Sequence, residues 1–244
     1  MDKSGAVRFG AKILDGDWLA THPLQQPDLS CDKNSRGRVL IVGGSSTVPG
    51  GIRLSAEAAL RAGAGKVQVL TIESAALPIG LLLPEIAVFP APERNGEIGP
   101  CGTVFTDLLD RADAVLIGPA MTDAGAARML LEQVIVAQPS CSLVIDAAGL
   151  LGLRPLAAEL GRLACPVLLT PNAGEMVALL DWDFRRVEEQ AGFAALSAAE
   201  SFGTHVLLKG ATSYLATPSG DLYAVHGGGV GLATGGSGDV LAGI

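Results

Sequence analysis

Near the end of the chain, Gly235-Gly236-Ser237-Gly238-Asp239 combines backbone that no side chain obstructs with one carboxylate. Glycines leave N–H groups free to approach an anion. Residues 240–244 have helix-compatible composition, so the loop would lie at a helix N-terminus and form an anion hole. Asp239 beside it could take a proton from a hydroxyl while Gly236, Ser237 and Gly238 stabilise a transferring phosphoryl group through their N–H groups. A glycine-rich connector ending in an aspartate helix cap accounts for the same residues without chemistry, and glycines alone favour that plainer reading.

Three further segments carry groups that could work with it. Lys209-Gly210-Ala211-Thr212-Ser213 closes an apolar run and puts a cation at a strand end, although an ordinary turn reads the same way. Asn172 stands three residues before Glu175 and ahead of an apolar stretch, a capping-box spacing that initiates a helix. Asp146 ends the run 143–145, where α/β folds place ligand groups and where an aspartate also caps a helix; both readings stand. His22, His205 and His226 have no metal-ligand spacing, so no protein metal site is expected. Cys31, Cys101, Cys141 and Cys165 form no CxxC pair and read as reduced, mostly buried thiols.

The elements that must position these groups alternate along the chain. Residues 39–42 form an apolar run that ends in Gly43-Gly44-Ser45-Ser46, and residues 55–62 follow with helical composition before Gly63 and Gly65. Further short apolar runs lie at 67–72, 114–117, 143–145, 167–169 and 206–208, with an Ala- and Leu-rich helix at 124–137. Short apolar strands separated by helices imply a mainly parallel central sheet with helices on both faces. Residues 214–217 and 222–226 flank Pro218-Ser219-Gly220-Asp221, which predicts a late antiparallel hairpin. Residues 1–37 read as a polar lead-in, and the stretch 90–100 as a surface loop.

Composition limits the function. In 244 residues, 49% are hydrophobic, only 4% aromatic, and 32 are glycine, which suits one large α/β domain with many tight turns. A formal net charge of −8 argues against a nucleic-acid surface, but not against a nucleotide held by local N–H groups. No basic segment leads into an apolar stretch, and no apolar run is long enough to span a bilayer. A cytoplasmic protein without membrane contact, and a homo-oligomer, is expected.

The same motifs, taken in order, resemble one family. Lys33 and Gly37 precede Arg38-Val39-Leu40-Ile41-Val42-Gly43-Gly44-Ser45. Pro49-Gly50, Ala58-Ala59-Leu60-Arg61-Ala62-Gly63-Ala64-Gly65 and Pro84-Glu85 follow. Gly118-Pro119, Thr170-Pro171, Gly174-Glu175-Met176 and Leu208-Lys209-Gly210-Ala211 complete the series before residues 232–244. Over residues 33–244 the chain is similar to the ADP- or ATP-dependent NAD(P)H-hydrate dehydratases of the ribokinase-like superfamily, whose Gly-x-Gly-Asp sequence carries the anion hole and the catalytic base.

The resemblance implies a three-layer ribokinase-like fold. It also implies that ADP or ATP, with Mg²⁺, phosphorylates the ring hydroxyl of hydrated NADH or NADPH and that phosphate then leaves. Asp239 would be the base, with Gly236, Ser237 and Gly238 as the anion hole. Lys209, Gly210, Ala211, Thr212, Ser213 and Gly238 would contact the nucleotide, and Gly51, Ala120, Asn172 and Asp239 the hydrated cofactor. The chain departs from the family at Asn172-Ala173 (usually His-Pro), at Ala148 (usually an acid) and at Ala120 (usually Gly). An ordinary small-molecule kinase and a silent nucleotide-binding protein are the alternatives. Family members generally continue for further helices, so a single ribokinase-like domain over residues 1–244 lacking its C-terminal helices is expected.

Overall fold

A strand whose consecutive residues are all buried must be covered on both faces, because successive side chains point to opposite sides. Leu40, Ile41 and Val42 are each 0% exposed, and such runs recur through the chain. The computed structural model describes residues 10–24, 26–28 and 30–244. The first nine residues of the lead-in lie outside the described residues.

The strands are β1 (Lys12–Ile13), β2 (Arg38–Val42), β3 (Lys66–Ile72), β4 (Ala87–Ala91), β5 (Glu93–Arg94), β6 (Glu97–Ile98), β7 (Ala114–Ile117), β8 (Ser142–Ile145), β9 (Val167–Leu169), β10 (His205–Leu208), β11 (Thr212–Ala216) and β12 (Leu222–His226). Ten of them form one sheet in the order β1-β12-β11-β10-β9-β8-β7-β2-β3-β4. Only β11 runs against its neighbours, pairing Val206 with Ala216 on one side and Tyr214 with Ala224 on the other. Thus the expected hairpin is present, with its first strand starting at Thr212.

Helices Gly51–Ala62, Glu73–Leu82 and Ala124–Ala137 follow β2, β3 and β7, while Ala173–Leu180 and Ala191–Phe202 lie between β9 and β10. Alanine makes close packing possible: Ala194, Ala195, Ala198 and Ala199 of one helix are all 0% exposed. None of the helices among the described residues is long and apolar enough to cross a membrane.

Two segments are more ordered than their composition suggests. In the stretch expected to be a loop, Pro90 and Ala91 belong to β4, and β5 and β6 form a second, two-stranded sheet. Arg94 pairs with Glu97 across Asn95 and Gly96, whose φ values are 53° and 77°. An Asn-Gly pair at positive φ suits a tight two-residue hairpin. In the lead-in, β1 adds to the sheet beside β12, and Asp15 caps helix Gly16–Thr21 by accepting from the Trp18 N–H at 3.0 Å.

The connectivity determines where ligands can sit. From β2 the chain moves outward through β3 and β4, then returns to build β7, β8, β9 and β10 on the other side. The switch point therefore lies between β2 and β7, and α/β sheets bind ligands in the crevice at the carboxyl ends of the strands there. The two loops at this point touch: Gly44 N–H donates to the Pro119 carbonyl at 2.9 Å, and a side chain at Gly43 would collide with that same oxygen.

Gly118 follows β7 at φ 112°, and a Cβ there would run into the Asp146 carbonyl and sit 2.8 Å from the Gly149 nitrogen. Gly118→Ala combines backbone strain of about 1–3 kcal/mol with a similar overpacking cost. The sum of about 2–6 kcal/mol should lower its Tm by roughly 4 °C at the least and by more than about 10 °C if both costs apply in full, for a chain of this size. A wild-type melting curve for purified Gly118→Ala would contradict this packing of the two loops.

Candidate active site

The loop expected to form an anion hole leads into helix Ser237–Gly243 through Gly236 at φ 88°. First-turn N–H groups of a helix have no intrahelical acceptor, so negative charge is favoured near those of Gly238 and Asp239, while the Ser237 N–H makes a long bond of 3.4 Å to the Thr234 carbonyl that an anion could replace. The helix is seated against Gly51–Ala62. Ser55, 0% exposed, donates its hydroxyl to the Asp239 carbonyl at 2.8 Å, and a Cβ at Gly243 would collide with the Ser55 carbonyl. A Cβ on Gly236 would lie 2.5 Å from Leu54 Cδ1.

Lys209 lies beside this loop, since its Nζ is 3.6 Å from where a Cβ on Gly238 would be. The ammonium is paired at 2.7 Å with Asp146 Oδ1, an oxygen that also accepts the Thr170 hydroxyl at 2.7 Å. Glu175 Oε2 is 3.9 Å from the same ammonium. Side-chain exposure of 18% for Lys209 and 3% for Asp146 keeps water from screening the pair. Asp239, half-buried, holds its proton more tightly than an ordinary aspartate, first because burial disfavours the charge and then because Asp146 repels it; Lys209 offsets part of this. Burial also raises the proton affinity of Glu175.

The rest of the expected nucleotide segment crosses the β10 to β11 turn. Gly210 and Ala211 are exposed, and Ser213 Oγ donates to the Gly210 carbonyl at 3.3 Å. Thr212 Oγ1 lies 3.1 Å from His226 Nδ1. This turn and Gly238 are therefore linked through Lys209.

On the other side of the crevice stand the residues expected to meet the hydrated cofactor. Gly118, Pro119, Ala120 and Met121 form a tight turn, closed by the Met121 N–H donating to the Gly118 carbonyl at 3.2 Å. Ala120 has φ 57°, a left-handed conformation in the turn position that glycine fills most easily, and an alanine there costs about 1–2 kcal/mol. Its methyl group faces Gly51, where a Cβ would come within 2.7 Å. Gly51 and Ala120, 69 positions apart, are thus brought together.

Asn172 caps helix Ala173–Leu180. Its side chain accepts from the Glu175 N–H at 2.9 Å, and Glu175 accepts the Asn172 N–H at 2.8 Å in return. Helix initiation is satisfied in full, and Asn172 remains exposed at the crevice.

Three features of this arrangement were not visible in the sequence. Asp146 is anchored to Lys209, 63 residues away, and no local spacing signals that pairing. Glu175, read only as half of a capping box, also adds negative charge next to Lys209. Glu97 is buried and accepts from the Thr122 N–H at 2.9 Å, just beyond the Ala120 turn; its signal was the Asn95-Gly96 pair before it. Burial pushes the Cys101 thiol up to about 11 and raises those of Cys141 and Cys165 as well, which keeps these three thiols protonated. A helix start, a half-buried cation and a carboxylate of raised proton affinity can together receive a phosphoryl group and remove a hydroxyl proton.

Solved structures share the architecture. A ribokinase-like superfamily protein from Enterococcus faecalis superposes with a TM-score of 0.79 and 27% identity, covering 96% of this chain and 78% of that one. The ADP/ATP-dependent NAD(P)H-hydrate dehydratase of Bacillus subtilis, co-crystallised with ATP/Mg²⁺, superposes with a TM-score of 0.78 and 25% identity over 96% of this chain and 79% of its own. Fold and site together define a ribokinase-like protein. The family model for NAD(P)H-hydrate dehydratase matches residues 39–244, and the chain belongs to that family.

Relatives support the assignment. The ADP-dependent (S)-NAD(P)H-hydrate dehydratase of Xanthomonas campestris is 44% identical over 227 residues, 93% of this chain and 76% of the relative. The Bifunctional NAD(P)H-hydrate repair enzyme Nnr of Moorella thermoacetica is 33% identical over 247 residues, and the match covers 97% of this chain but only 44% of that protein.

The ion pair can be tested without substrate. Lys209→Ala leaves a buried aspartate with only Thr170 to support it, which should cost about 3 kcal/mol in denaturant unfolding. Lys209→Ala combined with Asp146→Asn removes the unpaired charge and should recover most of that loss. Equal stability of the single and double variants would contradict a desolvated pair.

Proposed function

We propose that this chain is a nucleotide-dependent NAD(P)H-hydrate dehydratase that restores reduced nicotinamide from hydrated NADH or NADPH, with ADP or ATP as phosphoryl donor. Asp239 carries the proposal, because it is a half-buried carboxylate of raised proton affinity at the entrance of a helix flanked by a paired lysine. The raised affinity makes it a stronger base than a free aspartate once ionised.

In this reading Asp239 takes the proton of the ring hydroxyl as the hydroxyl oxygen attacks the terminal phosphorus of the nucleotide, the phosphoanhydride bond to that phosphorus breaks, and AMP (from ADP) or ADP (from ATP) leaves. The N–H groups of Gly236, Ser237 and Gly238 hold the phosphoryl oxygens as charge develops on them. Lys209 binds the nucleotide phosphates from the side of Gly238, and the turn at Gly210–Ser213 takes the nucleoside end. Gly51, Ala120 and Asn172 orient the hydrated ring. The phosphorylated ring then eliminates phosphate: the C–O bond breaks, the neighbouring ring carbon gives up a proton, and the electron pair of that C–H bond becomes the restored ring double bond. The chemistry is overall that of a carbon–oxygen lyase.

Mg²⁺ fits this site as a passenger on the phosphates. The ion prefers hard oxygens and keeps several waters, and Glu175, half-buried near Lys209, offers a carboxylate that would hold one of those waters. When bound, it neutralises charge on the phosphate oxygens. The same reading puts the enzyme in the cytoplasm, which accords with four free cysteines, as one domain and as a homo-oligomer. Leu77 and Leu81, 72% and 74% exposed one helical turn apart, support the last point.

Asp239→Asn keeps the shape of the site and removes the proton acceptor. Its kcat should drop by about 100-fold or more while the nucleotide Kd stays within about threefold; near-wild-type turnover would remove Asp239 from the chemistry. The base works only when ionised, so activity is present above its pKa and lost as pH falls through it. Burial and Asp146 place that loss at higher pH than for an ordinary aspartate. Asp146→Asn removes a repelling charge and releases Lys209 toward Asp239, and both effects lower the pKa. The acid limb of kcat/KM should therefore move to lower pH; movement to higher pH would contradict this electrostatic account.

A further inference from the structure

The β5–β6 hairpin lies outside the residues assigned to chemistry, yet it is fastened to both loops of the switch point. At its tip, the Gly96 carbonyl accepts the Ser46 N–H at 2.8 Å, and Gly96 sits so close that a side chain there would collide with the Ser46 hydroxyl. One residue on, the buried carboxylate of Glu97 accepts the Thr122 N–H at 2.9 Å and the Thr122 hydroxyl as well. Ser46 belongs to the loop that leads from β2 to Gly51, and Thr122 follows directly on the Gly118–Met121 turn. The hairpin therefore spans the two strands of chain that carry Gly51 and Ala120.

Two observations argue that this is more than packing. Glu97 Oε2 is buried without a hydrogen-bond partner. A buried carboxylate with an orphan oxygen is a poor device for stability, because that oxygen gives up water and gains nothing in return. Ala120, meanwhile, is held at φ 57°, a conformation that an alanine leaves readily and that surroundings must enforce. On the C-terminal side of Ala120, Thr122 is held by two hydrogen bonds donated to Glu97.

We propose that Glu97 is a positioning residue for the hydrated-cofactor side of the site, holding the Gly118–Met121 turn in its left-handed form so that Ala120 stays opposed to Gly51. The family departure and the clamp then belong together: an alanine occupies a position suited to glycine, and Glu97 supplies the constraint that keeps it there. The proposal rests on the reading that Gly51 and Ala120 contact the hydrated cofactor. It makes the hairpin a determinant of substrate affinity without touching substrate.

The test uses Glu97→Ala, Glu97→Gln, Ala120→Gly and the pair Glu97→Ala/Ala120→Gly. Glu97→Ala should raise KM for hydrated NADH by about 10-fold, because a small misplacement of a binding turn is costly, with the nucleotide Kd unchanged. Glu97→Gln keeps a carbonyl acceptor for Thr122 and should remain within about threefold of wild type. Ala120→Gly removes the strain, so the double variant should return to within about threefold of Ala120→Gly alone. A residue that served stability only would lower Tm without this split between KM and nucleotide binding and without rescue by glycine.

Amide hydrogen exchange separates the clamp from the substrate reading. The Met121 N–H should lose protection in Glu97→Ala and regain it in the double variant, whichever substrate the enzyme uses. Unchanged Met121 protection, or equal KM values for Glu97→Ala and wild type, would overturn the proposal. Protection that behaves as expected in an enzyme that does not turn over hydrated NADH would instead overturn the functional reading and leave the clamp standing.

Discussion

The ion pair between Lys209 and Asp146 is the contact on which the rest of the site depends. Taking both groups out of water is costly, and the cost is offset only by a 2.7 Å pairing with Thr170 as a third partner. That arrangement requires the ends of β8, β9 and β10 to be in register, because Asp146, Thr170 and Lys209 each follow one of these strands directly. A sheet slipped by one residue would turn every second side chain to the opposite face and separate the three. Register in the core and charge in the crevice are thus one constraint.

From that pair a closed ring of contacts can be followed around the crevice. Asp146 lies against Gly118, the Gly118 turn carries Ala120 to Gly51, and Gly51 begins the helix whose Ser55 bonds the Asp239 carbonyl. Gly238, beside Asp239, returns to Lys209. Several links need a residue without a side chain, which explains why the loops at the strand ends are rich in glycine. The ring also explains the electrostatics of Asp239: burial raises its proton affinity most, Asp146 adds to the rise, and Lys209 offsets part of it.

Much of this was legible in local sequence, for a physical reason. Strands such as Ala114–Ile117 and Val167–Leu169 are short apolar runs bounded by polar or turn residues, so periodicity alone finds them. The Asn172 and Glu175 capping box was legible because its two bonds span three residues. What local pattern could not give was pairing across the fold. Asp146 looked equally like a cap and a ligand group until Lys209 was placed next to it, and Glu97 had no visible partner 25 residues away. The 90–100 segment was misread as a loop because Pro90, Pro92 and Pro100 outweighed the hairpin signal of Asn95-Gly96. The lead-in was misread because β1 has only two residues, both exposed, and its identity comes from lying beside β12.

The account's central claim is that one anion hole performs phosphorylation as the first half of a dehydration rather than as an end in itself. Incubating the protein with hydrated NADH and ADP or ATP, and following inorganic phosphate and reduced-nicotinamide absorbance together, measures that directly. Phosphate and reduced nicotinamide should appear in equal amounts, and neither should form without nucleotide. A stable phosphorylated product with no gain in absorbance would make the protein a kinase, and nucleotide binding with neither signal would make it a silent binder; either result contradicts the account.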